Sequence, residues 1–184
     1  MIILLNGISS AGKSSIARAI QEISDRMWMH IGIDTFLDMV HAKFWGVGER
    51  ATDGFLFTQS KNEEGQFVTE ITVSPMGARI ASSIPETVAL LSNAGLDVIV
   101  DECLFDDDIE GYKQTLKDHD ICYVGVMCDL ETLENREKDR GDRILGVARG
   151  MFDKVHKIKY DFIVDTAKMD AVSCAKAILE FVQK

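Results

Sequence analysis

The chain has 184 residues, 46% hydrophobic and 27% charged, which is enough for one domain with a sizeable core. Its net charge of −10 argues against a general nucleic-acid binder, because a phosphate backbone would be repelled. No apolar run approaches the ~20 residues that cross a bilayer, and Asn6, Gly7 and Ser9 break the first apolar stretch too early for a signal peptide, so no membrane partner and a cytoplasmic location are expected.

Met1–Asn6 reads as a strand, and residues 7–14, "GISSAGKS", follow the pattern G-x-x-x-x-G-K-[ST]. Ile16, Ile20 and Ile23 then share one helical face, so a strand precedes the loop and an amphipathic helix follows it. That context turns a short motif into a phosphate cradle. Backbone N–H groups wrap the phosphates and the helix N-terminus adds its partial positive charge. The expected ATP-binding set is Gly7, Ile8, Ser9, Ser10, Ala11, Gly12, Lys13, Ser14 and Ser15, with Lys13 on the β/γ phosphates and Ser14 on Mg²⁺.

Trp28–Ile33 is the second strand-like run, and Asp34 stands at its carboxyl end. Ligands of open α/β sheets bind beyond the carboxyl ends of the strands. Asp34 is therefore the candidate for orienting an acceptor hydroxyl and taking its proton; its competing role is an N-cap for "TFLDMVHAKF". Residues 44–72 break the strand–helix rhythm. There "GFLFTQ" and "GQFVTEITV" flank a polar "SKNEEG" turn, which predicts a hairpin insertion serving as lid or substrate wall.

Ser74-Pro75 starts a helix that Asn93-Ala94-Gly95 stops, with Pro85 kinking it on the way. Leu96–Val100 is the next strand, and Asp101 after four apolar residues is placed to hold Mg²⁺ opposite Ser14. Ile121–Met127 is a buried strand. Its Cys122 and Cys128, like Cys103 and Cys174, show no metal-ligand spacing and are expected as reduced thiols.

Glu131 to Arg140 reads as a helix that opens a basic stretch, with eight Lys or Arg against four acids between Arg136 and Lys159. Arg136 and Arg140 lie on one helical face and Arg143 follows a Gly141-Asp142 break. Guanidinium groups above a phosphate loop would neutralise charge on a transferred phosphoryl group, so this stretch is read as a small-anion receiver. Acids interleave with these arginines, so some are internally paired. His156 is read as a surface or packed residue. Asp161–Val164 is the fifth strand, Asp165 a strand-end turn residue, and Asp170 to Val182 the closing helix. Five near-continuous apolar strands alternating with helices predict a doubly wound parallel α/β sheet with helices on both faces.

A GTP switch lacks its base-reading Asn in "AKMD", and an ABC-type "LSGGQ" is missing, so a small kinase fits best. The stretches "IILLNGISSAGKSS", "GIDTF", "AGLDVIVDECL", "VGVMCDLETLENREKDRGDR" and "VH…YDFIVDT" together resemble the chloramphenicol phosphotransferase family of P-loop kinases, in order from Met1 to about Thr166. The resemblance implies a nucleoside/nucleotide kinase-like single domain over 1–184, with 44–72 on the acceptor side and 136–159 as lid. It implies transfer of the ATP γ-phosphate to a hydroxyl, with Asp34 as base, Lys13 and Ser14 in their usual roles, and Arg136, Arg140 and Arg143 in the lid. Phe36, Phe44, Trp45, Phe55 and Phe57 are candidates for an apolar acceptor pocket, with Glu102 beside them. Chloramphenicol is the leading candidate acceptor. The rivals are a nucleotide or nucleoside kinase, which would want more cations in 44–72 than Arg50 and Lys61, and a regulatory ATPase without an acceptor.

Overall fold

In the computed structural model, which describes residues 1–141, 144–155 and 158–183, the chain alternates strands and helices. Strand β1 (Ile2–Asn6) leads to α1 (Lys13–Ile23), β2 (Trp28–Gly32) and the short α2 (Ile33–Asp38). The insertion follows as β3 (Trp45–Gly46), β4 (Phe55–Lys61) and β5 (Phe67–Val73). Then come α3 (Pro75–Asn93), β6 (Asp97–Glu102), α4 (Asp106–Thr115), β7 (Ile121–Met127), α5 (Leu130–Arg140), α6 (Val147–Val155), β8 (Phe162–Asp165) and α7 (Ala171–Val182).

The main sheet is parallel, in the order β2-β6-β1-β7-β8. Its central strand β1 is buried on both faces, as a parallel strand between two helix layers must be. The pleat sorts its side chains. Ile3 and Leu5 pack with Ile16 and Ile20 of α1 and Ile178 of α7, while Ile2 and Leu4 pack with Ile84 and Val88 of α3 and Leu116 beyond α4. Strand β6 follows the same alternation, with Ile99 on the α1 side and Val98 and Val100 on the α3 side.

The insertion forms its own three-stranded sheet, β3-β4-β5. Its hairpin pairs Phe55 with Val73 and Lys61 with Phe67, and the tip turns at Asn62, whose Oδ1 accepts from the amides of Glu64 and Gln66. The expected helix over "TFLDMVHAKF" is a correction: α2 stops at Asp38 and Ala42–Phe44 is a single 3-10 turn. Ile23 also departs from its buried companions and is 37% exposed, since α1 ends there at the edge of the core. Pro85 lies inside α3 without ending it. Among the described residues no helix is long and apolar enough to cross a membrane.

Candidate active site

Strand β6 inserts between β2 and β1, so the carboxyl ends of all three lie side by side. Asp101 is level with Gly32 on one side and Leu5 on the other, and Glu102 is level with Asn6. The phosphate loop leaves β1 here, Asp34 sits just past Gly32, and a cleft of about 1190 Å³ opens above them. Ser9, Ser10, Gly12, Lys13, Ser14 and Ser15 line its floor. Gly7, Ile8 and Ala11 stand behind that surface, with Ile8 and Ala11 packed into the core.

Gly12, in the left-handed region at φ 94°, is the N-cap of α1, so the amides of the first helical turn have no intrahelical acceptor. The Lys13 ammonium donates to the Ile8 carbonyl at 3.0 Å and lies 3.7 Å from Asp101 Oδ1. The Ser14 hydroxyl donates to Asp101 Oδ2 at 2.6 Å, and His30 Nε2 stands 3.5 Å from the same oxygen. Burial opposes the charge on Asp101, but Lys13 and the hydrogen bonds from His30 and Ser14 outweigh it and hold the carboxyl below its ordinary range. A hydroxyl and a carboxylate brought together beside a phosphate loop are a hard-oxygen donor set that suits Mg²⁺, an ion that completes its shell with water and phosphate. No group of three or more His, Cys, Asp or Glu able to hold a metal occurs among the described residues.

Asp101 and Glu102 point to opposite faces of β6, because neighbours on a strand alternate. Asp101 faces Ser14 and Lys13; Glu102 faces the α3 and α4 layer. Glu102 is 4% exposed, and burial pushes its carboxyl up to about 8, partly offset by the nearby Tyr112 hydroxyl and reinforced by Asp101.

The basic stretch divides. Arg136 donates to the Thr166 carbonyl at 2.7 Å and the Thr166 hydroxyl at 3.0 Å, and that hydroxyl donates to the Ala11 carbonyl at 2.8 Å. Arg136 thereby ties the turn after β8 to the phosphate loop, with its guanidinium also 3.4 Å from the Ser10 carbonyl. Arg140 lines the cleft one helical turn later. Arg149 pairs with Glu134 at 2.7 Å. Arg143 and His156 lie outside the described residues. Asp165 is the turn residue expected, accepting from the Ala167 amide and pairing with Lys168.

Asp34 lines the cleft from the first turn of α2, whose N-cap is Gly32, so the N-cap alternative does not apply to it. Of the aromatic candidates, Phe55 and Phe57 of the hairpin line the cleft. Phe36, Phe44 and Trp45 are corrections, for none is on its lining. Phe36 points from α2 into the core with Ile84 and Val88, and the Phe44 ring lies under the cations of Lys43 and Arg50.

Three residues shape the site without having stood out in the sequence. Asn6 Nδ2 donates to the Leu104 carbonyl at 3.1 Å and Oδ1 accepts from the Leu104 amide at 2.7 Å, fixing the loop after β6. Glu137, 1% exposed, accepts from the amides of Gly146 at 2.6 Å and Ala148 at 3.0 Å and so caps α6. Thr69 of the hairpin donates its hydroxyl to the Leu145 carbonyl and its amide to the Gly146 carbonyl, docking the insertion on the loop before α6. A polar side chain inside an apolar strand was the available signal for Asn6. Glu137 read as one more acid in a charged run.

Comparison with known proteins bears on the family and the fold. The family model described as "Chloramphenicol phosphotransferase-like protein" matches residues 1–183. A Mycobacterium tuberculosis protein named "Putative O-phosphotransferase Rv2636" is 29% identical over 186 residues, covering 99% of this chain and 82% of that protein. Among solved structures, the APS kinase CysC of Mycobacterium tuberculosis superposes with a TM-score of 0.66 at 14% identity, over 100% of this chain and 97% of that one. Shikimate kinase from Acinetobacter baumannii gives 0.62 at 16% identity, over 99% and 92%. At these identities the two structures establish a shared P-loop kinase fold.

Proposed function

We propose that this chain, which belongs to the chloramphenicol phosphotransferase-like family, moves the γ-phosphate of ATP to a hydroxyl of a small, uncharged acceptor. It is a phosphotransferase, with the fold of small-molecule kinases. Chloramphenicol is the leading candidate acceptor on the strength of the family description alone. The observation that carries the reading is one cleft lined both by Asp34 and by the Lys13, Ser14 and Asp101 cluster.

In this reading residues 7–15 wrap the nucleotide phosphates and Lys13 leaves the Ile8 carbonyl for the β/γ oxygens. Ser14 and Asp101 would hold Mg²⁺, which supplies charge neutralisation on the phosphates. Asp34 accepts the proton of the acceptor hydroxyl while its oxygen attacks the γ-phosphorus, the P–O bond to the β-phosphate breaks, and ADP departs with that electron pair. Arg140 lies where it can meet charge on the phosphoryl oxygens, while Arg136 braces the loop. The chain then works as one kinase domain, with the 44–72 insertion as acceptor wall and the 136–159 region as lid.

The charge of the lining supports an uncharged acceptor. Lys13, Arg136 and Arg140 all stand on the phosphate-loop and α5 side. The opposite half carries Asp34, Glu70, Glu86, Glu102 and Asp108, and no Lys, Arg or His among its described lining residues. A nucleotide or other anionic acceptor would be repelled there. The test is transfer of label from γ-labelled ATP with Mg²⁺ to chloramphenicol and a panel of neutral alcohols, beside Asp34→Asn. A labelled acceptor with the wild type and a loss of ~100-fold or more in the variant are expected. Undiminished transfer in Asp34→Asn would remove it as the base, and steady hydrolysis with no labelled acceptor would favour a regulatory ATPase.

A further inference from the structure

One side chain beside the phosphate loop has no part in the proposed chemistry. His30 Nε2 stands 3.5 Å from Asp101 Oδ2, the oxygen that also accepts the Ser14 hydroxyl at 2.6 Å. Among the described residues Asp101 is the one ion-pair or hydrogen-bond partner of the His30 ring. His30 is not on the lining of the cleft, whereas Ser14 and Asp101 are. It therefore meets neither nucleotide nor acceptor, and its effect on the site passes through Asp101.

The sheet brings the two together. Strand β2 is the edge neighbour of β6, with Trp28, His30 and Gly32 level with Asp97, Ile99 and Asp101. Alternate residues of a strand share a face, so His30 stands on the Asp101 face, one same-face step before it. Gly32, level with Asp101, brings no side chain between ring and carboxylate; a Cβ there would lie 3.2 Å from the Asp101 Cβ. Two residues before His30, Trp28 is buried and fastens the strand to the end of α1. Its ring N–H donates to the Ser24 hydroxyl and its carbonyl accepts from the Gln21 amide group. The imidazole is thus carried on an anchored strand, 25% exposed, against a carboxylate 14% exposed.

We infer that His30 is a positioning residue for the Mg²⁺ site, holding Asp101 Oδ2 together with Ser14 and so leaving Oδ1 for the ion and its water. The inference rests on the kinase reading above for Mg²⁺ at Ser14 and Asp101. A neutral imidazole carries one N–H, so donation from Nε2 needs no net charge. A carboxylate is planar, and two donors on one oxygen set the direction of the other. Oδ1 has the Lys13 ammonium as its neighbour at 3.7 Å, and in that reading Lys13 moves to the phosphates. Partners one step behind a metal ligand change its metal affinity by about 10–100-fold. The competing role, a polar residue that only steadies an edge strand, predicts a cost that does not depend on Mg²⁺.

The test is calorimetric titration with the β,γ-imido analogue of ATP, in EDTA and in excess Mg²⁺, which reads binding without turnover. The ratio of the two dissociation constants is the Mg²⁺ enhancement. His30→Phe removes the donor and should cut the enhancement about tenfold, while the Kd in EDTA stays within about twofold of wild type. His30→Gln keeps an N–H near the position of Nε2 and should retain most of the enhancement. In Asp101→Asn, adding His30→Phe should change the enhancement less than about twofold, since the histidine acts through the carboxylate. Should His30→Phe fail to fold, His30→Ala removes the same donor and carries the comparison. An enhancement unchanged in His30→Phe, an equal loss with and without Mg²⁺, or a further loss in the Asp101→Asn background would each overturn the assignment and leave the kinase reading standing. A wild type that binds the analogue with no Mg²⁺ enhancement, or does not bind it, would overturn the Mg²⁺ site and the assignment together.

Discussion

Glu137 gives the sharpest quantitative prediction. Its buried carboxylate holds two amides, Gly146 at 2.6 Å and Ala148 at 3.0 Å, across the start of α6. Glu137→Leu fills the space and leaves both N–H groups without acceptors. Each buried orphan costs roughly 1–3 kcal/mol, so the pair is worth about 4 kcal/mol, a little under a thousandfold in an equilibrium. Helix α6 and the hairpin docked beside it roof the cleft, and such an element opens locally before the sheet unfolds. The assay is therefore native-state hydrogen exchange at the amides of 146 and 148, which should speed up by about 10³-fold in Glu137→Leu. Glu137→Gln keeps one acceptor oxygen and should give about half the free-energy effect. Exchange within tenfold of wild type in Glu137→Leu would refute the cap.

The remaining predictions concern the floor. A Cβ at Gly32 would collide with the Asp101 carbonyl oxygen, so Gly32→Ala must push β2 off β6 at the strand ends that carry Asp34 and Asp101 to the cleft; a loss of about 1–3 kcal/mol is expected, read as a fall of several degrees in thermal midpoint with reduced transfer activity. Thr166→Val removes the hydroxyl that links Arg136 to the Ala11 carbonyl, and ATP affinity should weaken about tenfold by titration, the scale of one or two buried hydrogen bonds. Glu102 titrates at about 8 in the folded chain against 4.5 in the unfolded one, so between these values the folded state keeps a proton that the unfolded state releases. The stability from this group is complete below pH 4.5 and is lost as pH rises to 8. Against Glu102→Gln in metal-free buffer, wild-type stability should fall by ~1.4 kcal/mol per pH unit across that window, and parallel denaturation profiles for the two proteins would sink this argument.

Much of this protein is local in origin and was legible in order along the chain. The phosphate loop, the five strands, the hairpin and its turn, and the stops of the helices follow from Gly, Pro and Asn placement and from apolar runs, because backbone conformation and strand burial are written in neighbouring residues. Asp34 and Asp101 could be singled out for the same reason: each ends an apolar strand, where open sheets bind ligands. Phe36 was read otherwise because its burial against Ile84 and Val88 is a contact with a distant segment that no window of neighbours contains.

Only the tertiary structure decided which of these residues meet. The order β2-β6-β1 sets Gly32, Asp101 and Leu5 level, and no local pattern specifies that β6 enters between two strands that precede it by 69 and 96 residues in register. The pair Asp101-Glu102 is two adjacent acids in the sequence; the pleat of β6 makes one a partner of Ser14 and leaves the other beside Tyr112. Arg136 and Glu137 are likewise neighbours in one charged run, yet packing commits the first to Thr166 and buries the second beneath α6. The sequence determines the chemical groups and the local backbone that presents them. The sheet order and the faces of its strands and helices assign each group its partner, because partners here are brought together by strand pairing and burial across the whole chain.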